Sequence, residues 1–196
     1  QFASLMKSTR EFGEPGFIWL DKLDVVFNPC AEIGMIPRHG KESGVQVCNL
    51  VEINGRYCED EARFLECCRA AAILGTMQAA YTDFKYLTPV SKTICDKEAL
   101  LGCSVTGIMD NPAVLLDAKI QRAGAKLILE QNEKTAKMIG INPTARATCV
   151  KPAGSTSCVL KTASGIHPHH AKRYIRRVQA NRNEFAMQLF KSHNPE

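Results

Sequence analysis

The sequence predicts an α/β fold in which strands alternate with long helices through crossover connections. Three short apolar stretches, residues 46–53, 101–109 and 145–150, have the length and composition of buried strands. Between them run residues 60–84 and 114–139, where apolar and small side chains recur at helical spacing. Strands this far apart in sequence pair in parallel through helical crossovers rather than through hairpins. With 45% hydrophobic and 23% charged residues, the 196-residue chain has the composition of a folded protein able to bury a core.

Taken in order, residues 4–12 form an opening helix, which the turn cluster Gly13-Glu14-Pro15-Gly16 ends. Residues 17–27 are apolar and β-prone, and residues 37–44 read as a polar loop. The strand at 46–53 closes at Asn54-Gly55, a strong turn pair. The helix over 60–84 carries Phe64, Cys67, Cys68, Ala71, Ile73 and Leu74 as its apolar positions. After the strand at 101–109, Asp110-Asn111-Pro112 starts another helix, since proline suits the first turn. That helix runs on over 114–139 with Leu115, Ile120, Leu127 and Met138 opposite its charges, and Gly140 stops it as a C-cap. The third strand, 145–150, leads into Lys151-Pro152-Ala153-Gly154-Ser155-Thr156-Ser157, and a short helix opens over 157–161. Residues 174–178 read as a further strand and 183–192 as a last helix.

Composition narrows the function. The net charge of +5 is modest, and much of it sits in Lys172-Arg173-Tyr174-Ile175-Arg176-Arg177. Such a run most often solvates a face, though it also suits phosphate. No helix-turn-helix, zinc-finger spacing or long basic stripe points to direct DNA binding. No apolar run approaches the roughly 20 residues of a membrane helix, and the first residues lack the pattern of a signal peptide. Nine irregularly spaced cysteines without a Cys-x-x-Cys do not form a secreted disulfide framework; they read as a cytoplasmic, reducing setting. The absence of a starting Met is expected if the chain is a segment of a longer polypeptide.

Two segments carry chemistry. In Asn28-Pro29-Cys30-Ala31-Glu32-Ile33 the proline disfavours a helical Asn28. An extended segment would set Asn28, Cys30 and Glu32 on one face, bringing an amide, a thiol and a carboxylate around one small volume. A free cysteine is usually an inert packing residue, but two polar neighbours would make that role costly at Cys30. Cys48-Asn49-Leu50 follows a short way on. The second segment is residues 151–157, which follows a strand, contains proline and glycine, and ends in three hydroxyl residues where a helix begins. Unpaired N–H groups and hydroxyls at such a start receive phosphate oxygens. Simple capping by Ser155 or Thr156 is the plainer reading of the same residues.

Together with Ser104-Val105-Thr106-Gly107 and Ser164-Gly165-Ile166-His167-Pro168, these motifs stand in the order found in ribonucleotide reductases. The chain most resembles the large, catalytic chain of the adenosylcobalamin-dependent class, from Gly13 to the last residue. The resemblance implies that residues 1–196 are a segment of the catalytic barrel domain. It implies a ten-stranded α/β barrel with the active-site cysteine on a finger loop. It implies that Cys30 becomes the thiyl radical that takes hydrogen from the ribose 3′ carbon, and that Glu32 accepts the 3′-hydroxyl proton. Asn28 then bonds the sugar hydroxyls, and Cys48 is one half of the redox pair that reduces the 2′ position. Pro152, Ala153, Gly154, Ser155, Thr156 and Ser157 hold the substrate phosphates. The implied partners are a ribonucleotide, triphosphate before diphosphate, and a thioredoxin-like reductant. A deoxynucleotide effector would bind outside this chain. Before Cys30 the sequence contains no cysteine, so the second redox thiol is expected elsewhere in the polypeptide.

Three other readings compete. Within the family, the radical could come from a separate metal-containing subunit. Outside it, Cys30 could be the nucleophile of a cysteine-histidine hydrolase with His39 or His167 as base. A binding module without catalysis is the third, with zinc held by Cys158, His167, His169 and His170; the paired cysteines of structural zinc sites are missing for it. Cys58, Cys67, Cys68, Cys95, Cys103, Cys149 and Cys158 read as packing residues, with Cys149 nearest the substrate segment.

Overall fold

Helix α1 (Phe2–Phe12) ends where Gly13 turns left-handed and returns its N–H to Thr9 O at 2.9 Å. The structure, a computed structural model, describes residues 1–175, 177 and 179–195. Strands β1 (Val26–Phe27) and β2 (Gly34–Met35) pair antiparallel and clasp residues 28–33 between them. In place of the polar loop expected over 37–44, β3 (Arg38–His39) and β4 (Glu42–Ser43) form a tight hairpin. Gly40, at φ 61, supplies the positive φ that such a turn needs.

The centre is a parallel pair. β5 (Asn49–Asn54) and β6 (Leu101–Thr106) run in register from Asn49↔Leu101 to Asn54↔Thr106. The crossover between them contains α2 (Glu61–Ala79) and α3 (Pro89–Glu98). After β6 come α4 (Pro112–Leu115), α5 (Ala118–Ile139), α6 (Gly154–Leu160) and α7 (Phe185–His193). The caps follow the chemistry of helix ends: Asp60 accepts from Arg63 N–H at 2.8 Å, and Asp117 from Lys119 and Ile120 N–H. Helices α2 and α5 cover one face of the pair, burying Phe64, Cys68, Ala71, Leu101, Cys103 and Ile128. Gly124 allows the close approach, since a Cβ there would stand 2.6 Å from Phe64 Cε1. Alternation then turns Leu50 and Glu52 of β5, and Gly102, Ser104 and Thr106 of β6, to the opposite face.

The α/β class stands, with several corrections of detail. The helix expected over 60–84 stops at Ala79, and α3 was not expected. The helix expected over 114–139 breaks after Leu115, and Asp117 restarts it as an N-cap. The short helix expected at 157 opens earlier, at Gly154. The third strand, expected over 145–150, is reduced to a single parallel bridge, Thr148↔Cys103. A side-chain acceptor diverts its far end, where Lys151 N–H donates to Ser104 Oγ at 3.0 Å, while at the near end Leu101 N–H is shared between Arg146 O and Thr144 Oγ1, both at 3.1 Å. Of the strand expected over 174–178, residues 174, 175 and 177 form none, while 176 and 178 lie outside the described residues. Among the described residues no helix is long and apolar enough to cross a membrane.

Candidate active site

The segment from Asn28 to Ile33 is a closed turn, not the extended stretch that alternation assumed. Asn28 Oδ1 accepts from Ile33 N–H at 3.0 Å, and Ala31 N–H donates to Asn28 O at 2.8 Å with Ala31 at φ 59. The turn separates the two reactive side chains. Cys30 is exposed, whereas the Glu32 side chain is only 7% exposed. What rejoins them is Lys151. Its Nζ donates to Glu32 Oε1 at 2.6 Å and lies 3.9 Å from Cys30 Sγ.

The electrostatics follow from this burial. Desolvation works to raise the Glu32 pKa, but the hydrogen bond from Lys151, helped by its own backbone N–H and the Asn28 amide nearby, outweighs it and holds the group below the ordinary carboxylate range. Lys151 is pushed up, chiefly by the same hydrogen bond. Glu52, on the same face from β5, goes the other way because burial dominates. Glu32 Oε2 and Glu52 Oε2 are both buried and make no hydrogen bond among the described residues.

Cys48 enters from the start of β5. Burial, with neighbouring Cys103, pushes its thiol up to about 11, and burial with Cys48 beside it pushes Cys149 up to about 12. Both thiols are protonated at neutral pH. Gly102 makes room for them: a Cβ there would stand 3.0 Å from Cys48 Sγ and 3.1 Å from Cys149 Sγ. A cavity of about 80 Å³ joins Glu32, Cys48, Arg146 and Cys149. Cys149, read as the packing cysteine nearest the substrate segment, borders the same small space as Glu32 and Cys48.

The expected phosphate segment is more divided. Ala153 is left-handed at φ 49 and starts α6, while Pro152, Gly154 and Ser155 are exposed. Ala153 and Ser157 are buried, and Ser157 Oγ turns back to donate to Gly154 O at 2.8 Å. Ser157 thus closes the helix turn, leaving Ser155, Thr156 and the first N–H groups as the open donors. Ser164 Oγ braces the bend by donating to Pro152 O at 2.7 Å. The histidines stand elsewhere. His167 Nδ1 is 3.2 Å from Ser164 O, and His169 Nε2 is 2.6 Å from Asp110 Oδ1. Among the described hydrogen bonds neither His39 nor His167 reaches Cys30, and no group of three or more metal-ligating side chains is assembled among the described residues.

Comparison with known proteins adds the family likeness. No family model matches the chain. An adenosylcobalamin-dependent ribonucleoside-triphosphate reductase of Lactobacillus helveticus is 23% identical over 180 residues, covering 78% of this chain and 23% of that protein. A probable adenosylcobalamin-dependent ribonucleoside-triphosphate reductase of Dictyostelium discoideum is 23% identical over 201 residues, covering 91% and 25%. The chain resembles the adenosylcobalamin-dependent ribonucleotide reductases. The crystal structure of a B12-dependent, class II ribonucleotide reductase superposes with a TM-score of 0.57 at 20% identity, over 75% of this chain and 23% of that one. That likeness carries the α/β fold. The chain spans about a quarter of the length of the reductases it matches.

Sequence reasoning missed three members of the site. Glu52 had a readable signal, because counting by twos from Cys48 along a strand gives Leu50 and Glu52 on one face. Gly102 inside a strand marks a close approach of another group. Lys151 was read only as the edge of the anion cradle, and nothing local in the sequence directs its ammonium to residue 32.

Proposed function

We propose that this chain is part of a ribonucleotide reductase catalytic barrel, with residues 28–33 as its finger loop and β5 and β6 among its ten strands. The activity is reduction of ribonucleoside triphosphates to 2′-deoxyribonucleotides. The observation that carries the reading is the buried Glu32, linked to exposed Cys30 through the Lys151 ammonium, with the Cys48 thiol bordering the same small cavity as Glu32. A hydrolase would need a histidine base at Cys30, and this site offers a carboxylate and an ammonium instead.

In this reading Cys30 Sγ, as a sulfur radical, takes the hydrogen atom from the ribose 3′ carbon while Glu32 takes the 3′-hydroxyl proton. The 2′-hydroxyl leaves as water. Cys48 and a second thiol supply two electrons and two protons to the sugar and end as a disulfide, which a thioredoxin-like protein reduces. Cys30 then returns its hydrogen atom to the 3′ carbon and Glu32 returns its proton to the 3′ oxygen. Keeping Cys48 a protonated thiol suits a group that must deliver hydrogen. Adenosylcobalamin, when bound, supplies the unpaired electron that ends on sulfur. An exposed Cys30, on a turn at the surface, fits approach by a group of that size, and it is the residue that would face it. Asn28 braces the turn and the carboxylate. Ser155, Thr156 and the open N–H groups of residues 154–156 take the phosphates, with Pro152, Ala153 and Ser157 shaping the bend. The deoxynucleotide effector would bind elsewhere in the polypeptide, and the enzyme would work in the cytoplasm.

The test is nucleotide reduction by the full-length protein with and without adenosylcobalamin. Cys30→Ser abolishes all turnover. Cys48→Ser abolishes multiple turnover with the protein reductant and leaves at most a single cycle with a small dithiol. Reduction unaffected by Cys30→Ser sinks the proposal.

A further inference from the structure

Lys151 opens the segment expected to cradle phosphate, yet its ammonium reaches the other cluster. We infer that Lys151 is a positioning residue: it holds Glu32 by Oε1 and steadies the Cys30 sulfur, leaving Glu32 Oε2 as the oxygen that accepts the sugar hydroxyl proton. The inference deepens the reductase reading of this site and rests on it.

The geometry is specific. Nζ stands 2.6 Å from Glu32 Oε1 and 3.9 Å from Cys30 Sγ, so one cation touches both groups that must act on the same sugar carbon. Lys151 is only 16% exposed, which lysine seldom is unless paired. Its backbone is fixed from two sides. Its N–H donates to Ser104 Oγ at 3.0 Å, and its carbonyl lies so near Gly165 that a Cβ there would stand 2.4 Å from it. The carboxylate is left asymmetric. Oε1 has the ammonium, while Oε2 is buried and has no hydrogen-bond partner among the described residues. A buried acceptor left without a donor is costly, and a substrate hydroxyl would relieve that cost.

The groups that face this pair support a single charge balance. Asn28 and Cys30 come from the same loop, Glu52 from β5, Cys48 from just before it, and Cys149 from two residues before Lys151. Burial pushes Glu52 toward its neutral form and keeps Cys48 and Cys149 as thiols. The ammonium and the Glu32 carboxylate pair with each other, and Arg146, which borders the same cavity, pairs with Glu98 Oε2 at 3.4 Å. A lysine-bound carboxylate is a weak base, but a hydroxyl on a radical carbon is far more acidic than an ordinary alcohol. The proton moves from that hydroxyl to Oε2, the O–H electron pair stays on the sugar oxygen, and Glu32 becomes a neutral acid. Lys151 keeps its protons throughout.

The experiment follows Glu32 in the full-length protein by infrared difference spectroscopy, with Glu32→Gln assigning its carboxylate band. In the wild type the band titrates below the ordinary carboxylate range. Lys151→Met moves that titration upward, and Lys151→Arg, which keeps the cation, holds it low. In parallel, the acid limb of kcat/KM for nucleotide reduction moves to higher pH in Lys151→Met, with about a tenfold loss on the acid side for each unit of movement. A Glu32 that titrates at or above the ordinary range in the wild type overturns the inference, even if Lys151→Met does not fold. So does a band that Lys151→Met leaves in place. A low, lysine-dependent titration in a protein that reduces no ribonucleotide overturns the reductase reading instead, and leaves the clamp standing.

Discussion

Gly102 shows how closely the site is fitted around individual atoms. A methyl group at that position would stand 2.5 Å from Leu50 Cδ2 as well as against the two sulfurs. Gly102→Ala is therefore expected to cost about 1–3 kcal/mol through overpacking, read as a lower midpoint in a urea titration of the full-length protein. Glu52 makes a prediction of opposite sign. Burial raises its pKa in the folded state, so the fold binds that proton more tightly than the unfolded chain does. Its stabilising contribution is complete below the ordinary carboxylate range and declines as pH rises through the raised value. Glu52→Gln should leave stability nearly unchanged at pH 4 and increase it at pH 8, measured as the thermal midpoint at each pH. Cysteine accessibility gives a third. Iodoacetamide should label exposed Cys30 well before half-buried Cys48 or Cys149, whose thiols are pushed up to about 11 and about 12. Mass spectrometry of peptides from a time course checks the order. The residue types of this site were legible in the sequence, but their arrangement was not. Asn28, Cys30 and Glu32 drew attention as a group for the wrong geometric reason, because Ala31 bends the chain where alternation assumed it straight. Glu32 and Cys30 meet through a lysine more than a hundred positions away, and no local period encodes such a contact.

The elements themselves were readable in proportion to how far their apolar period ran. β5, β6, α2 and most of α5 followed from it, and Gly140 stops α5 at φ 80 as expected. α3 was missed because its buried face is short and partly polar. Ser91 lies in it beside Ile94 and Cys95, and its hydroxyl accepts from Val45 N–H at 2.9 Å. The helix start was nonetheless written in Thr88-Pro89. Between the two long helices, a polar contact does what sequence patterns do not reveal. Asn132, 1% exposed, donates to Thr76 Oγ1 at 2.8 Å and accepts from Thr144 N–H at 2.8 Å. It thereby ties α2, α5 and the approach to the bridge at Thr148. Asn132→Ala leaves the Thr144 N–H without its acceptor and opens a gap between the helices. The expected loss is about 1–3 kcal/mol of stability by denaturant titration, along with faster hydrogen exchange at Thr144.

At the scale of the molecule, the chain leaves much more surface in water than a closed monomer of its mass would. The chain exposes 14190 Å², whereas a closed monomer of its mass would expose about 9,200 Å². Phe17, Ile18, Trp19, Leu20 and Leu23 are among the large apolar side chains left in water. Expressed alone, the 196-residue chain should bind a hydrophobic dye strongly and self-associate in light scattering, whereas the full-length protein should do neither. The α/β class was legible, but the exposed apolar surface could not be read, because sequence periodicity shows which faces are apolar and not what covers them. The parallel pairing of β5 with β6 carries a consequence for synthesis on the ribosome. Asn49 must wait for Leu101, about 50 residues later, which is roughly 3–10 seconds of translation. Throughout that pause Leu50, Val51 and Ile53 have no neighbour to hydrogen-bond, so the nascent chain depends on α2 docking early, or on a chaperone, to keep that edge from a wrong partner.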